Sequence, residues 1–234
     1  MQLFFQEDIS GNGFELGPEE SRHLVKVMRK SVGDFVHFTN GRGMLFLCKI
    51  EALHEKKTRL TIQSQEFQAP EKHYIHLAIA PTKNQDRMEW MVEKITEIGF
   101  HELTFLNTDN TEKQFIKFER LEKKIISACK QSLKLWKPKL NGLRDYLGFI
   151  SDPSFTTFQK FIGYVEQENQ SHLMDQAAKQ AACLVLIGPE GDFSPNEIQQ
   201  AIAQGFKPCS LGKSRLRTET AGLVAVNTLN LVNR

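Results

Sequence analysis

The sequence predicts an α/β protein with a small β domain in front of the α/β part. From about residue 72 onward, short apolar runs alternate with longer segments of helical periodicity, which favours a mostly parallel sheet with helices on both faces. Residues 1–68 instead contain several short strands and turns, a pattern that is typical of a small barrel. A polar, proline-bearing link at residues 67–72 separates the two patterns, so we predict domains at 1–70 and 71–234.

In the front domain, residues 35–38 and 44–50 are predicted strands on either side of the hairpin-type turn Asn40-Gly41-Arg42-Gly43. Residues 58–62 alternate polar and apolar side chains, as a half-buried strand does. One helical piece is expected around residues 19–28.

The predicted strands of the second domain are short apolar runs, at residues 76–80, 103–106, 161–165, 184–187 and 208–211. The predicted helices lie at residues 84–98, 118–135, 195–203 and 219–232. Gly99 follows the first of these helices in the usual C′ position. Residues 141–159 show no clear pattern, and we predict no element there.

Composition limits the classes of function. Of the 234 residues, 40% are apolar and 25% charged, and the net charge of +2 is too small to indicate nucleic acid by itself. The start has no signal-peptide pattern, and no apolar run reaches the roughly 18 residues of a membrane span. The four cysteines lie far apart and the seven histidines form no metal motif. We therefore expect a cytoplasmic protein without a metal or a membrane partner.

A glycine loop near the C-terminus is the first candidate site. The apolar run 184–187 enters Gly188-Pro189-Glu190-Gly191, and a helix start follows, with Ser194 as N-cap and Glu197 completing a capping box. This arrangement presents backbone groups to a ligand in α/β folds. Neither the Walker pattern nor G-x-G-x-x-G is present, so a small ligand such as a nucleoside is favoured over a phosphate-cradled nucleotide. The alternative is a tight turn without a ligand.

A second glycine turn lies about twenty residues further on, at residues 211–221. Arg215 and Arg217 flank Leu216 there, and Thr218 is expected to cap the final helix. That helix also carries small residues that allow close packing, at Ala221, Gly222 and Ala225. We interpret the two loops as the walls of one site. The alternative for this loop is a cationic turn paired with a neighbouring carboxylate.

Two groups of basic residues are candidates for RNA contacts. Lys83, Arg87 and Lys94 follow one edge of the helix at residues 84–98, although a solvated face with Glu93 and Glu97 is the simpler interpretation. The second group lies in the front domain and consists of Arg22, His23, Lys26, Arg29 and Lys30. It also has a simpler interpretation, as an ordinary exposed helix.

These segments together resemble the 16S ribosomal RNA (uracil-N3) methyltransferases of the SPOUT superfamily, over most of the chain. The motifs that carry the resemblance are Arg22-His23-Leu24 through Met28-Arg29 with Gly33-Asp34, Asp86-Arg87-Met88-Glu89 and Glu93-Lys94, Ile187-Gly188-Pro189-Glu190-Gly191, Leu211-Gly212, and Leu216-Arg217-Thr218-Glu219-Thr220-Ala221. The chain departs from the family pattern twice. Asp192 stands where the family usually has a second glycine, and Lys130-Gln131-Ser132-Leu133 replaces a more acidic, glycine-bearing pattern.

The resemblance implies a PUA-like β-barrel, followed by a SPOUT-type parallel sheet with a C-terminal trefoil knot. It implies S-adenosylmethionine as cofactor, a homodimer, and 16S rRNA or the small ribosomal subunit as substrate. The cofactor-binding residues that it implies are Ile187, Gly188, Pro189, Glu190, Gly191, Leu211, Gly212, Leu216 and Arg217. We expect RNA-positioning contacts from Arg22, His23, Arg29, Lys83, Arg87 and Lys94.

Uracil N3 carries a proton at neutral pH and is a poor nucleophile until that proton leaves. We expect Arg217 to stabilise the negative charge that develops on the base and Glu219 to accept the proton. Glu219 has an alternative interpretation, in which it only favours the helix N-terminus electrostatically. Two rival functions stay open: a catalytically inactive RNA-binding assembly factor of the same fold, for which Asp192 is the argument, and a methyltransferase for another RNA position.

Overall fold

The computed structural model describes residues 2–112, 116–164 and 171–234. The chain divides into two compact units, each described below by itself. The first consists of Met1–Pro70 with Cys129–Lys137, and the second of Glu71–Ala128 with Pro138–Arg234.

The first unit contains a five-stranded sheet, formed by β1 (Leu3–Phe5), β2 (Gly13–Leu16), β3 (Phe35–Thr39), β4 (Met44–Ala52) and β5 (Thr58–Phe67). The strand order is β1-β3-β4-β5-β2, with β1 parallel to β3 and the other pairs antiparallel. Its core is apolar and aromatic, with Phe4 and Phe38 fully buried and stacked at 5.2 Å. Burial of such aromatic rings is the main source of stability in a small sheet domain.

The predicted turn between β3 and β4 is confirmed. The side chain of Asn40 accepts hydrogen bonds from the backbone N–H groups of Arg42 and Met44, and Gly41 and Gly43 have φ of 71° and 84°. The expected helical piece is also present. It consists of α1 (Pro18–Arg22) and a π-helical turn, His23–Val27.

The second unit contains a six-stranded sheet in which every pair is parallel. Its strands are β6 (Tyr74–Ile79), β7 (Glu102–Asn107), β8 (Lys139–Asp145), β9 (Gln159–Gly163), β10 (Ala182–Ile187) and β11 (Lys207–Cys209), in the order β11-β9-β10-β6-β7-β8. The prediction of a parallel sheet is thus confirmed. Val165, the last residue of one predicted strand, lies outside the described residues.

The helices of this unit are α2 (Gln85–Ile98), α3 (Phe118–Ser132, of which the part from Cys129 onward belongs to the first unit), α4 (Tyr146–Ile150), α5 (Leu173–Gln176), α6 (Pro195–Ala203) and α7 (Thr218–Val232). Asn84 caps α2 through its side chain, and the N–H of Gly99 donates to the carbonyl of Ile95 at its end. The capping box of Ser194 and Glu197 on α6 is present as predicted.

Two helix boundaries differ from the prediction. Helix α3 ends at Ser132 rather than at Leu135, because Leu133 has a left-handed φ of 58° and Lys134 N–H donates back to the carbonyl of Cys129. Thr218 does not cap α7. Arg217 occupies the N-cap position without a side-chain capping bond, and Thr218 is the first helical residue.

The segment that showed no pattern, residues 141–159, contains most of β8, all of α4 and the short 3₁₀ turn Pro153–Phe155. Strand β8 stands at the end of the sheet order, next to β7, and its polar residues face solvent, so it lacks the apolar run of a central strand. Asp145 caps α4 by accepting a hydrogen bond from Gly148 N–H.

Helix α7 packs closely against α2 and β6, as its small residues predicted. A Cβ placed on Gly222 would lie 2.8 Å from Sδ of Met91 and 3.0 Å from Cδ1 of Ile79. Glycine at this position therefore allows the two helices and the strand to approach one another. This contact fixes α7, and with it the loop that precedes the helix.

Candidate active site at the carboxyl edge of the parallel sheet

The two predicted loops leave the sheet on either side of the end of β9. Ile187, the last residue of β10, pairs with Gly163 of β9, and Gly163 pairs with Cys209 at the end of β11. A Cβ on Gly163 would lie 3.2 Å from Cδ1 of Ile187 and 3.7 Å from Cδ1 of Leu211. Because ligands bind outside the carboxyl ends of strands in open α/β sheets, this edge is the place for a site.

The glycine loop is a tight turn whose shape requires a left-handed residue. Asp192 has φ of 63°, a conformation that glycine adopts readily and that Asn and Asp tolerate better than other residues. Its Oδ1 accepts a hydrogen bond from the N–H of Phe193 at 2.8 Å. A short polar side chain that bonds to its own turn explains how aspartate can stand where the resemblance led us to expect glycine.

The segment after β7 holds this loop in place, and sequence reasoning did not identify it. Nδ2 of Asn110 donates to the carbonyl oxygens of Gly191 at 3.3 Å and Asp192 at 3.0 Å. A Cβ on Gly191 would lie 3.3 Å from Cβ of Asn110, so the two segments are in close contact. Polar residues directly after a parallel strand were the available signal, since such residues face the crevice at the carboxyl edge.

A neighbouring set of hydrogen bonds joins the same segment to the start of α6. Oδ2 of Asp109 accepts from Ser194 Oγ at 2.6 Å, and Asp109 N–H donates to Oε1 of Glu197 at 2.9 Å. Glu197 is 3% exposed, and its other oxygen accepts from Ser194 N–H. The capping box thus does more than start a helix, because it also binds the loop after β7.

The second loop keeps its backbone accessible. Oγ of Ser210 exchanges hydrogen bonds with the N–H and carbonyl of Gly212, both at 3.2 Å. Gly212 has φ of 137°, and a Cβ there would meet none of the residues that the structure describes within 4 Å. Leu211 and Leu216 are half-buried, whereas Gly212 is exposed. The loop therefore offers two apolar side chains on either side of open backbone.

Arg217 and Glu219, the predicted catalytic pair, stand at the start of α7 in different environments. The Arg217 side chain is exposed, while Glu219 is 6% exposed. Nε of Arg87, on α2, lies 3.7 Å from Oε1 of Glu219. The structure thus pairs a residue that we expected to contact RNA with the one that we expected to accept a proton.

The other two cations of the group predicted along α2, Lys83 and Lys94, also have acidic partners. Lys83 Nζ lies 2.5 Å from Oε2 of Glu112, and Lys83 N–H donates to Oε1 of Glu190 in the glycine loop. Lys94 Nζ lies 2.9 Å from Glu93 and 2.8 Å from Glu97. The Lys83–Glu112 pair is exposed and therefore weak, so RNA phosphate can compete for Lys83. Lys94 and its two partners are part-buried.

The predicted RNA contacts of the first unit lie around α1 and the π-helical turn. Arg22 is exposed and lines an open groove of about 440 Å³ together with residues of the β4–β5 turn, including His54 and Lys56. The ring of His23 packs against Phe4, with centroids 5.6 Å apart. Arg29 is exposed and has φ of 51°.

A polar cluster that the sequence did not indicate lies at the opposite, amino edge of the sheet. The carboxylate of Glu102 accepts hydrogen bonds from Tyr74 at 2.8 Å, Asn141 at 2.6 Å and Lys139 at 2.9 Å, and Nδ1 of His76 lies 3.7 Å away. Burial alone would raise the pKa of Glu102, but the nearby His76 and these hydrogen bonds lower it to about 2. The pKa of His76 is lowered to about 4 by burial, against the attraction of Glu102.

Within the described part of the chain, no group of three or more His, Cys, Asp or Glu residues is arranged to hold a metal ion. Among the same residues, none of the helices combines the length and apolar character that a bilayer crossing requires.

Comparison with known proteins agrees with this geometry. Residues 69–230 match the family model of the RNA methyltransferase domain, and residues 16–63 match that of the RNA methyltransferase PUA domain. The ribosomal RNA small subunit methyltransferase E of Buchnera aphidicola (subspecies Acyrthosiphon pisum) is 29% identical, over 97% of this chain and 92% of its own. The protein of the same name from Bacillus subtilis is 26% identical, over 93% and 89%.

Two solved structures extend the comparison. A probable rRNA methyltransferase from Porphyromonas gingivalis is 40% identical and covers 100% of this chain and 98% of its own, with a TM-score of 0.93. A methyltransferase from Legionella pneumophila, solved in complex with S-adenosylmethionine, is 29% identical over 99% and 97%, with a TM-score of 0.86. The chain therefore belongs to the RNA methyltransferase family, with an α/β domain of parallel strands that follows a PUA-like domain.

Proposed function

We propose that this protein transfers a methyl group from S-adenosylmethionine to N3 of a uridine in small-subunit ribosomal RNA. The observation that carries the proposal is the convergence of the loops after β10 and β11 at one edge of the parallel sheet. The names of the curated relatives, which refer to the small ribosomal subunit, supply the substrate class. The resemblance to uracil-N3 methyltransferases supplies the base and the atom.

The residues at this edge fit S-adenosylmethionine. Ile187, Leu211 and Leu216 are apolar and border the two loops, as an adenine ring requires. The open backbone at Gly212 leaves N–H and C=O groups for polar atoms of the cofactor. The exposed carboxylate of Glu190 suits a ligand that carries a positive sulfonium. We propose these five residues, with Gly188, Pro189, Gly191 and Arg217, as the cofactor site.

When bound, S-adenosylmethionine supplies an electrophilic methyl group, so the protein has to position the base and manage its proton. Arg217 is exposed beside the loop and can place a guanidinium against a uracil oxygen, where negative charge develops as N3 loses its proton. Glu219 is buried and paired with Arg87, so it either accepts the proton as that pair opens or holds Arg87 in place. In both roles Glu219 acts on the deprotonation or the positioning of the uracil.

The assembly factor without catalysis has less support than the enzyme. Its argument was that Asp192 would place an extra carboxylate in the site. The carboxylate instead bonds to the adjacent N–H of Phe193, and the left-handed turn that glycine would form is kept. The glycine loop therefore has the backbone shape expected of an active family member.

A target base has to leave its stack before N3 can reach a methyl donor, which requires a firm hold on the surrounding RNA. We propose a PUA-like domain at residues 1–70 for this purpose and a catalytic domain at residues 71–234. The positioning residues that we propose are Arg22, His23, Arg29, Lys83, Arg87 and Lys94. The exposed side chains of Arg22 and Arg29 support this assignment.

We also propose the trefoil knot, a homodimer and a cytoplasmic location. Strand β11 is the edge strand next to β9. After β11 the chain returns across the sheet, and α7 packs against β6, which lies on the other side of β10. Such a return across the carboxyl ends is the path that a C-terminal knot needs. Tracing of an experimental backbone tests the knot, and sedimentation tests the dimer.

Two measurements test the function. Calorimetric titration with S-adenosylmethionine should show saturable binding to the pure protein. Mass spectrometry of 16S rRNA from a deletion strain should show the loss of one N3-methyluridine, and small subunits from that strain should regain it with purified protein and cofactor. Binding without any rRNA methylation would favour the assembly factor, and loss of a different methylated nucleotide would favour another RNA position.

A further inference from the structure

An exposed aromatic pair, Phe67 and Trp136, lies on the first unit. The Phe67 side chain, at the end of β5, is 61% exposed, and Trp136 is 36% exposed. Their ring centroids are 6.1 Å apart with an interplanar angle of 75°. Large exposed aromatic side chains in contact with one another often belong to a binding surface.

The tryptophan is held rigidly. A Cβ placed on Gly43 would lie 2.6 Å from Cζ2 and 2.7 Å from Cε2 of Trp136, so the ring lies against the glycine backbone. Its Nε1–H donates to the carbonyl of Gln68 at 3.0 Å. The preceding residue, Leu135, is buried, and its carbonyl accepts from Gly43 N–H and Thr39 Oγ1. One face of the indole is therefore packed, and the exposed part of the ring is fixed in orientation before any ligand arrives.

Basic residues lie next to Trp136, both along the chain and across its backbone bridge. Arg42 forms a backbone bridge with Trp136, and Lys134 and Lys137 belong to the same segment. The Arg42 side chain is 65% exposed, and its contact with Glu7, at 3.7 Å and in solvent, is weak. The segment begins directly after Lys130-Gln131-Ser132-Leu133, one of the two places where the chain departs from the family pattern.

We propose that Phe67, Trp136 and Arg42 form a stacking surface for unpaired nucleotides of the RNA substrate. The inference rests on the proposed function for the identity of that RNA. A tryptophan held in place beside an exposed phenylalanine and cations matches the way proteins bind single-stranded RNA, in which bases stack on rings and cations follow the phosphates. A protein partner would also fit aromatic side chains, but Arg42 and the two lysines favour a polyanion.

The chain has two tryptophans, Trp90 and Trp136, which gives a direct optical test. In Trp90→Phe, Trp136 is the single emitter, and titration with a short single-stranded oligouridine should quench its fluorescence. Phe67→Ala should weaken that binding about tenfold, the range found for loss of one stacked base. Phe35→Ala, which removes another half-exposed phenylalanine of the first unit, should leave the affinity unchanged. Arg42→Gln should reduce the slope of the logarithm of the binding constant against the logarithm of salt concentration by about 1, the value for one phosphate contact.

Two results would overturn the inference. One is RNA binding, seen by filter retention, with no change in Trp136 emission and with Phe67→Ala equal to Phe35→Ala. The other is a Trp136 signal that depends on protein concentration without RNA and disappears in Phe67→Ala, which would identify a contact with a second copy of the chain.

The test also separates this inference from the proposed function. Phe67→Ala should bind S-adenosylmethionine as the unmodified protein does, because Phe67 is not among the residues proposed for the cofactor site. If the unmodified protein binds no cofactor but its Trp136 still reports RNA, the methyltransferase proposal fails and the stacking surface stands. If the cofactor binds and Trp136 emission does not respond to RNA, the stacking surface fails and the methyltransferase proposal stands.

Discussion

Nε of Arg87 lies 3.7 Å from Oε1 of Glu219, and the pair joins α2 to the first turn of α7. Glu219 is nearly buried, with 8% of its side chain exposed, whereas 40% of the Arg87 side chain is exposed. A buried carboxylate that is left without its partner is costly, so removing either residue should disturb the other. The pair connects Arg87, a predicted RNA contact, with Glu219, the predicted proton acceptor.

The two roles of Glu219 can be separated by a double-mutant cycle. If Glu219 acts by positioning Arg87, then Arg87→Gln, Glu219→Gln and the double variant should lose turnover to a similar extent, because residues in one network are not additive. If Glu219 accepts the proton, Glu219→Gln should lose far more than Arg87→Gln and should also abolish the acidic limb of the pH profile of kcat. Single-turnover methylation of small subunits across pH measures both.

Arg217→Ala should slow methyl transfer by about 10²–10³-fold, the usual loss when one group that stabilises developing charge is removed. Its side chain is exposed beside the loop rather than buried in it, so the dissociation constant for S-adenosylmethionine should change much less. The neighbouring Arg215→Ala is the matched control. Equal losses in turnover and cofactor affinity would make Arg217 a binding residue only.

Asn110→Ala should weaken S-adenosylmethionine binding, because the loop carbonyls of Gly191 and Asp192 lose their shared donor. Two hydrogen bonds of about 1 kcal/mol each predict a loss of up to roughly thirtyfold. Asp192→Gly relieves the left-handed strain at the same turn, so the double variant should recover part of the affinity. Asn196→Ala, on the exposed side of α6, serves as control. Absence of any recovery would show that Asn110 acts on something other than the loop.

The parts of this site that the sequence predicted are those with a local cause. Helix α6 begins where Ser194, Pro195 and Glu197 place it, because a capping box is formed by residues three positions apart. The parallel sheet followed from the alternation of apolar runs with helical segments. The left-handed φ of Asp192 has no such signal, since an aspartate in a loop adopts many conformations.

What the sequence did not predict depends on strand alignment. Asn110 reaches Gly191 across 81 positions of the chain, and that contact exists only because β7 and β10 end at the same edge. Strand β8 was missed because one side of it faces solvent and its residues are mostly polar. The cluster around Glu102 likewise combines the starts of three strands that are far apart in sequence.

Gly222→Ala should destabilise the protein. The added methyl would lie 2.8 Å from Sδ of Met91 and 3.0 Å from Cδ1 of Ile79, and overpacking of this kind costs about 1–3 kcal/mol. The better helix propensity of alanine offsets up to about 1 kcal/mol of that cost. Gly142→Ala is the matched control, because a Cβ there would meet only Phe118, at 4.0 Å. Urea unfolding midpoints of the two variants test the difference, and equal midpoints would contradict the close packing of α7.

His76 should make the protein less stable in mild acid. Burial holds its pKa at about 4, below the 6.5 of the unfolded chain, so between these values the unfolded state binds a proton that the folded state does not. Stability is therefore complete above about pH 6.5 and falls as the pH drops towards 4, by up to about 3 kcal/mol. Glu102, with its pKa of about 2, loses its stabilising charge only at lower pH. His76→Gln should flatten the dependence of the free energy of unfolding between pH 6.5 and 4, whereas His54→Gln, at an exposed turn, should leave it unchanged. If the free energy of unfolding of His76→Gln still falls between pH 6.5 and 4, another group causes the pH dependence.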